Sequence, residues 1–375
     1  MIVFNRPYII GNELEYIKEA VRNGHLSGDG PFTARCSLWL EEHLGCPKVL
    51  LTHSCTAALE MAAILCDIKP GDEIIMPSFT FVSTANAFVL RGGVPVFAEI
   101  RPDTKNIDEN CIEALITERT RVIVPVHYGG VGCDMDKIMA LATKYNLLVV
   151  EDAAQALCAT YHNRHLGSIG DFGCFSFHET KNFISGEGGA IAINRPEFIE
   201  RAEIIREKGT DRSRFFRGQT DKYTWVDIGS SFLPSELTAA FLYAQLEESD
   251  RITAKRLSIW NSYHDALEKL EKVGCLTRPL IPAECCHNAH LYHIMLSSLE
   301  ERIALTAFML ERDIMPVFHY VPLHSSPAGS RFGRAPNALP ITDQTADRLL
   351  RLPCYFELEV NDIKKIVAVI MEFFN

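Results

Sequence analysis

The feature that most constrains the fold is a series of short apolar runs in the first two-thirds of the chain. Stretches long enough for a helical crossover separate them. Runs that are apolar at every residue indicate strands buried on both faces, which is typical of a parallel sheet covered by helices. The predicted strands are Val49–Leu51, Ile74–Met76, Val94–Phe97, Val122–Val126, Leu147–Val150, Phe172–Phe177 and Ala190–Ile193. The sequence therefore predicts an α/β unit with three layers around a mostly parallel sheet.

Helices are predicted between these strands, and the pattern changes near Arg251. The first set of predicted helices is Thr56–Cys66, Thr80–Leu90, Asp108–Ile116 and Asp136–Tyr145. Beyond Arg251 we predict the helices Ile252–Leu270, Glu301–Arg312, Asp343–Leu350 and Asp362–Phe374, the strand-like segments His293–Leu296 and Ile314–Tyr320, and a loop over Pro322–Pro340. We therefore expect a large domain over residues 1–250 and a smaller α+β domain over residues 251–375.

The charge balance and the cysteines limit the possible partners. A formal net charge of −11 argues against nucleic acid or an anionic membrane as the main partner, although a local basic pocket could still bind a small anion. The sequence shows neither a run long enough to span a membrane nor a signal peptide, and its twelve cysteines are scattered. We therefore expect a cytoplasmic protein with reduced thiols. The cluster Cys285–His293 fits no usual zinc spacing, so no metal site is predicted.

A single lysine follows the apolar segment Cys174–Phe177. This lysine, Lys181, precedes the glycine-rich stretch Gly186–Gly189. A lysine at the end of a buried strand loses hydration, which disfavours its charged form and makes its amine a nucleophile toward an aldehyde. A surface lysine just beyond a strand is the alternative.

Acidic and polar residues follow two other predicted strands. The run Leu147–Val150 ends in Glu151 and Asp152, and Gln155 lies one helical turn later. A lysine and a carboxylate at neighbouring strand ends suit pyridoxal phosphate, because one bonds to its aldehyde and the other pairs with its ring nitrogen. After the first strand, the turn Ser54–Thr56 opens a helix whose free N–H groups can bind phosphate. Helix capping is the alternative for both Asp152 and this turn.

Several segments together resemble one enzyme family. They are Cys174–Lys181 with Gly186–Gly189, Glu151–Gln155 and Pro77–Thr84. This set is similar to the DegT/StrS-type sugar aminotransferases, and the resemblance runs over essentially the whole chain. It implies a fold-type-I α/β enzyme that uses pyridoxal 5′-phosphate to aminate nucleotide-linked keto sugars.

The resemblance also implies roles for individual residues. Lys181 would be the catalytic residue that bonds to the cofactor, Asp152 would pair with the ring nitrogen, and Gln155 with the 3-hydroxyl. The phosphate would be bound by Ser176, Thr56 and the backbone amide of Ala57. Phe81 would stack on the ring, with plain core packing as the alternative.

The implied substrates are L-glutamate and a nucleotide-linked sugar. Segments around residues 206–218 and 318–324 are most similar to enzymes that aminate C4 of TDP-4-oxo-6-deoxyglucose with the galacto configuration. The candidate substrate-binding residues are Arg212, Arg217, His319, Tyr320 and His324, for which a solvated loop or a structural histidine is the alternative.

The resemblance further implies a homodimer with its active sites at the subunit boundary. In many relatives an asparagine reaches the partner's phosphate, and this chain has the shorter Ser231 at that position. That departure puts the cross-subunit contact in doubt. A sister activity with other regiochemistry or stereochemistry, a 3-dehydratase, and a non-catalytic regulator on the same fold are the alternatives. Dehydratases carry histidine where this chain has Lys181, so the lysine argues against that one.

Overall fold

The computed structural model describes the backbone of residues 1–375 and every side chain except that of Phe216. The strands are β1 Lys48–Thr52, β2 Glu73–Pro77, β3 Val94–Ala98, β4 Thr120–Ile123, β5 Leu148–Asp152, β6 Thr160–Tyr161, β7 Arg164–His165, β8 Phe172–Ser176, β9 Gly189–Ile193, β10 Cys285–Cys286, β11 Tyr292–Met295, β12 Val317–Phe318 and β13 Leu349–Leu352.

Helices cover both faces of the large sheet and pack around the C-terminal strands. They are α1 Glu13–Arg22, α2 Pro31–Leu44, α3 Cys55–Leu65, α4 Val82–Val89, α5 Glu109–Ile112, α6 Met135–Tyr145, α7 Ile199–Arg206, α8 Arg212–Phe216, α9 Glu236–Glu247, α10 Ser249–Ala266, α11 Glu268–Lys272, α12 Leu299–Leu310, α13 Pro327–Phe332, α14 Pro340–Arg348 and α15 Val360–Phe373. Short 3₁₀ turns occur at Glu113–Leu115, Tyr128–Gly130 and Pro196–Phe198.

The central sheet has the strand order β1-β9-β8-β5-β4-β2-β3. Strands β3, β2, β4, β5 and β8 are mutually parallel, and β9 lies antiparallel between β8 and β1. The prediction of a mostly parallel sheet is therefore confirmed. The carboxyl ends of β1, β5 and β8 consequently lie at the same edge, where ligands of such sheets usually bind.

Side chains of the sheet pack into a separate apolar core on each face. Val49 and Leu51 of β1 face one core with helices α2 and α9, whereas Leu50 faces the other with α3, α4 and α7. Both cores are closed to solvent, and burial of each large aliphatic side chain contributes roughly 1.5–3 kcal/mol. The three layers follow from this alternation, since each strand must be covered on both sides.

The C-terminal part forms its own apolar core around a second sheet. Strand β13 lies in the middle of this sheet, antiparallel to β11 and β12. Helices α10, α12 and α15 pack on it through Tyr263, Met309 and Ile370. Helix α10 begins at Ser249 and continues without a break past residue 251. The boundary between residues 250 and 251 stays a prediction.

In this part of the chain the bounds of one predicted helix differ, and two other predictions of secondary structure were wrong. The helix expected near Asp343–Leu350 is present as α14, but it ends at Arg348, and β13 begins at Leu349. The run Leu349–Leu352 is too short to show a period, so pairing with β11 and β12 decides its conformation. The expected loop over 322–340 contains α13, and strand β12 occupies only two residues of the segment 314–320.

Among the described residues, no helix combines the length and apolarity needed to cross a membrane.

Candidate active site

A cleft of about 600 Å³ lies at the carboxyl ends of β1, β5 and β8 and is bordered by the C-terminal sheet. A volume of this size is typical of small-ligand sites. The side chains named from the sequence that line it are Thr56, Phe81, Asp152, Gln155, Ser176, Lys181, His319 and Tyr320. These residues come from five separate segments of the chain, and the fold brings them to one place.

Asp152 is the last residue of β5 and is 6% exposed. Its Oδ2 accepts a hydrogen bond from Thr84 Oγ1 at 2.7 Å, and its Oδ1 accepts one from the Ala154 backbone N–H at 3.2 Å. Thr84 Oγ1 also lies 2.8 Å from Thr80 Oγ1. The carboxylate is thus held at the strand end with one edge toward the cleft.

Lys181 lies in the turn after β8, and its backbone N–H donates to His178 O at 2.9 Å. Burial lowers the pKa of the Lys181 amine, and the positive charge of Arg351 acts in the same direction. Cys55 and Asp152 act in the opposite direction without cancelling that shift. The neutral, nucleophilic form of the amine is therefore favoured relative to a lysine in water.

The turn after β1 presents hydroxyl groups to the cleft. Ser54 caps α3, since its Oγ accepts from the Ala57 N–H at 3.1 Å, and Thr56 Oγ1 lies 2.8 Å from Ser83 Oγ. Gly189 of the neighbouring strand packs directly on this turn: a Cβ there would lie 2.3 Å from the Ser54 carbonyl carbon. Only glycine allows so close an approach, which explains the last residue of the glycine-rich motif.

Gln155 connects the large sheet to the C-terminal segment. Its Oε1 accepts from the Gly129 N–H at 2.7 Å, and its Nε2 donates to Tyr320 Oη at 3.0 Å. The ring of His319 stacks on that of Tyr320 at 3.6 Å, and His319 Nδ1 lies 3.2 Å from Tyr128 Oη. Burial and the charge of Arg351 lower the pKa of His319, so this imidazole is neutral.

Two phenylalanines of the Pro77–Thr84 segment have opposite environments. Phe81 is 58% exposed and lines the cleft, while Phe79 is 1% exposed and packs edge-on against Tyr128 and Tyr320. The ring available for stacking on a ligand is therefore that of Phe81, and Phe79 belongs to the core.

Three of the predicted substrate-binding residues do not line this cleft. His324 Nδ1 lies 2.8 Å from Ser78 Oγ, and its Nε2 lies 3.4 Å from Asp343 Oδ1. Arg212 and Arg217 line a second cavity of about 580 Å³. There they pair with Glu207 at 3.8 Å and Glu203 at 2.8 Å. Within one chain these side chains have carboxylate partners of their own.

Ser231 also lies outside the cleft. It is exposed, and its backbone pairs with that of Glu207 in an isolated bridge. In the cluster Cys285–His293, His290 lines the cleft and His293 belongs to β11. Among the described residues, no group of three or more His, Cys, Asp or Glu side chains is arranged to hold a metal ion.

Sequence reasoning assigned no role in the site to several side chains that line the cleft, among them Thr84, His290 and Arg351. Thr84 stood in a quoted motif but was assigned no role. His290 lines the cleft with its Nδ1 3.1 Å from Asn182 Oδ1. Arg351 lies on β13, which was not predicted as a strand. An arginine within an apolar run was the only local signal for it.

Comparison with known proteins decides the family. The sequence model of the DegT/DnrJ/EryC1/StrS aminotransferase family matches residues 7–371. The chain belongs to this family. The DegT-type chain is 32% identical to the GDP-perosamine synthase of Caulobacter vibrioides over 97% of its length and 96% of that protein. It shares 28% identity and a TM-score of 0.91 with the aminotransferase TlmJ from Streptoalloteichus hindustanus, covering 100% and 99% of the two chains.

The cofactor of this DegT-type enzyme is pyridoxal phosphate. The PLP form of Spr1654 from Streptococcus pneumoniae superposes with a TM-score of 0.90 at 26% identity, covering 100% of both chains. The residues present fit the group on chemical grounds. Lys181 supplies an amine with a lowered pKa, Asp152 a buried carboxylate, Thr56 a hydroxyl at a helix N-terminus, and Phe81 an exposed ring.

Proposed function

We propose that the protein transfers the amino group of L-glutamate to C4 of a nucleotide-linked 4-keto-6-deoxy sugar. The proposed substrate is TDP-4-oxo-6-deoxy-D-glucose and the product TDP-4-amino-4,6-dideoxy-D-galactose, with 2-oxoglutarate released. The observation that carries the aminotransferase part is the presence of Lys181 and Asp152 in one cleft at neighbouring strand ends. The sugar and its configuration rest on the resemblance of residues 206–218 and 318–324.

Lys181 is the proposed catalytic residue. Its amine would hold the cofactor through the aldehyde carbon, and once the donor's amine had displaced it, the free amine would take the α-proton as general base and return it as general acid. The lowered pKa supports this role, since a base must be unprotonated at the working pH. A single lysine serves both half-reactions, because the second is the reverse of the first with a ketone in place of the keto acid.

Asp152 and Gln155 are the proposed partners of the cofactor ring. When bound, pyridoxal phosphate supplies an electron sink for the carbanion formed at the carbon that carries the nitrogen. The Asp152 carboxylate would keep the ring nitrogen protonated, with Thr84 Oγ1 fixing its orientation. The Gln155 amide, held between Gly129 and Tyr320, would donate to the 3-hydroxyl.

Thr56, Ser176 and the Ala57 amide are the proposed phosphate ligands, and Phe81 would cover the ring. Thr56 and Ser176 line the cleft near the N-terminus of α3, where free N–H groups favour an anion. The Ala57 N–H already donates to Ser54 Oγ, so it would have to share its proton between two acceptors.

The proposed sugar contacts fall into two groups. His319 and Tyr320 lie in the cleft and could contact the sugar of the same subunit. Arg212, Arg217 and His324 do not line the cleft in one chain, so we propose that Arg212 and Arg217 act across the boundary of a homodimer. The exposed apolar side chains of Trp225, at 79%, and Val226, at 50%, support a second copy against this region.

Product analysis tests the function. The purified protein is incubated with L-glutamate and TDP-4-oxo-6-deoxyglucose, and the product is identified by NMR. A 4-amine with the galacto configuration is expected. A gluco-configured or 3-amino product would assign a sister activity, and the absence of any aminated sugar would favour the non-catalytic alternative.

Sedimentation velocity tests the dimer. The unaltered protein is expected to sediment as a dimer, and Trp225→Glu to shift it toward monomer, because the change puts a charge into an apolar contact. The matched control is Val273→Glu, which alters a residue that is 73% exposed at the end of α11. A monomer in the unaltered protein would contradict the proposal.

A cytoplasmic location is also proposed, consistent with the twelve free thiols.

A further inference from the structure

Arg351 is a cation in the cleft without a carboxylate partner in the described part of the chain. It lies in the middle strand of the C-terminal sheet, between His293 of β11 and Val317 of β12. Its Nη2 donates to Phe318 O at 3.1 Å, and its guanidinium lies 4.5 Å from the centre of the Phe4 ring. Its Nε is buried and has no hydrogen-bond partner in the described structure. These contacts fix the plane of the guanidinium and leave donors unused.

The charge of the cleft is unbalanced around Arg351. The carboxylates that line the cleft are Asp152 and Glu187. Asp152 accepts from Thr84, and Glu187 lies 3.6 Å from His178 Nε2. Burial lowers the pKa of the Arg351 guanidinium, because the charged form is less well solvated there than in water. A half-buried cation of this kind is stabilised when an anion completes its hydrogen bonds.

The position of Arg351 relative to Lys181 distinguishes between possible anions. Both residues line the same cleft, and the charge of Arg351 contributes to the lowered pKa of Lys181. In an amino acid, the α-carboxylate sits on the carbon that loses the nitrogen. In a nucleotide sugar that reacts at C4, the diphosphate sits on C1 across the sugar ring. A cation near the reacting amine is therefore closer to the donor's carboxylate than to the diphosphate.

We propose that Arg351 binds a carboxylate of the amino donor through its guanidinium. This inference rests on the proposed function, because it assigns a binding residue for the donor of that reaction. The planar fork of arginine suits a carboxylate, with which it forms two parallel hydrogen bonds. His319 and His290, whose pKa values burial lowers, are neutral neighbours and do not compete for the anion.

Binding of a non-reactive dicarboxylate tests the assignment without turnover. The holoenzyme is titrated calorimetrically with glutarate, which has two carboxylates and no amine. Arg351→Gln is expected to weaken glutarate binding about 10- to 100-fold, the usual effect of losing hydrogen bonds to a charged group. Arg351→Lys keeps the positive charge but loses the planar guanidinium. Its affinity for glutarate is expected to lie between those of the unaltered protein and Arg351→Gln. The matched control is Arg331→Gln, an exposed arginine on α13 outside the cleft, and it should bind like the unaltered protein.

Single-turnover kinetics separate the two substrates. In Arg351→Gln, the apparent dissociation constant for L-glutamate in its half-reaction should rise by the same factor. The cofactor content and the kinetics of the half-reaction with the keto sugar should stay unchanged. Unchanged glutarate affinity, a loss confined to the nucleotide sugar, or loss of cofactor would each overturn the proposal, the last in favour of the cofactor phosphate. Failure of the proposed function is seen separately, as an unaltered protein that binds glutarate through Arg351 but aminates no sugar.

Discussion

Thr84 Oγ1 donates a hydrogen bond to Asp152 Oδ2 at 2.7 Å and so joins the first turn of α4 to the carboxyl end of β5. The pair is buried, with Thr84 at 0% and Asp152 at 6% exposure. Hydrogen bonds to a charged group are stronger than those between neutral groups. The bond therefore orients the carboxylate that we propose as the partner of the ring nitrogen.

Removal of the Thr84 hydroxyl is expected to weaken cofactor binding. Thr84→Val keeps the shape of the side chain and leaves Asp152 Oδ2 without this donor. We expect about a 10-fold higher dissociation constant for pyridoxal phosphate, measured by absorbance titration. Thr143→Val on the exposed face of α6 is the matched control, since its hydroxyl bonds only to the Met139 carbonyl within that helix. Equal affinities in Thr84→Val and the unaltered protein would contradict the role of the bond.

Substitution of Lys181 is expected to abolish turnover and preserve the fold. Lys181→Ala removes the amine, and Lys181→Arg replaces it with a group that stays protonated at neutral pH. Both variants should show the far-ultraviolet circular dichroism of the unaltered protein and no sugar amination. In the unaltered protein, borohydride followed by peptide mass analysis should fix the cofactor to Lys181. Attachment at another lysine would reject the assignment.

Removal of the Tyr320 hydroxyl tests whether the C-terminal segment positions Gln155. Tyr320→Phe leaves Gln155 Nε2 without its acceptor, although Oε1 keeps the Gly129 N–H. We expect a few-fold weaker cofactor binding and a loss of about 1 kcal/mol in the free energy of unfolding. Tyr145→Phe is the control, because its hydroxyl bonds to Glu113 at the surface. A cofactor affinity that does not change would show that Gln155 is oriented without Tyr320.

Glu236 is expected to make a large contribution to stability, although it lies outside the cleft. This carboxylate is fully buried and accepts hydrogen bonds from the Phe32 N–H at 2.8 Å, the Thr33 N–H at 2.9 Å, the Gly30 N–H at 3.1 Å and the Thr33 hydroxyl. It thereby completes the N-terminus of α2. Glu236→Gln should lower the free energy of unfolding in urea by about 2–3 kcal/mol. Glu42→Gln, at an exposed position, is the control. If Glu236→Gln loses no more unfolding free energy than Glu42→Gln, the expectation is refuted.

The decrease in the free energy of unfolding at low pH should depend on Glu73. Burial opposes ionisation of this carboxyl, but hydrogen bonds from Arg334, Thr117 and Arg119 outweigh burial and lower its pKa to about 2. A folded pKa below the unfolded value stabilises the protein fully above about pH 4.5, and this stabilisation is lost as the pH falls toward 2. We expect roughly 2 kcal/mol from this group, after allowing for the exposure of Arg119.

The measurement for Glu73 is the free energy of unfolding against pH between 6 and 2. Glu73→Gln should be less stable at pH 6 and show a shallower fall toward low pH, since it lacks the group that takes up a proton. Curves that stay parallel over the whole range would assign the acid sensitivity to other carboxyl groups.

The local pattern of the sequence was sufficient for the large sheet and for the residues at its strand ends. Each predicted strand of that sheet is present, with β4 ending at Ile123 before the predicted Val126. Continuous apolar runs are a strong signal because burial on both faces requires them. Lys181 and Asp152 could be selected for the same reason, since a lysine and a carboxylate within a few residues of the end of such runs stand out from their neighbours.

The C-terminal sheet and its contribution to the cleft depended on contacts between segments far apart in the chain. Four residues, Leu349–Leu352, are too few to show a helical or extended period, and only their pairing with β11 and β12 makes them a strand. That pairing carries Arg351 into the cleft, just as the packing of α4 against the sheet carries Thr84 to Asp152. The sequence alone determined which strands are buried and which polar residues end them. The tertiary structure decided which distant side chains meet, because a hydrogen bond between residues 84 and 152 leaves no periodic signal in the chain.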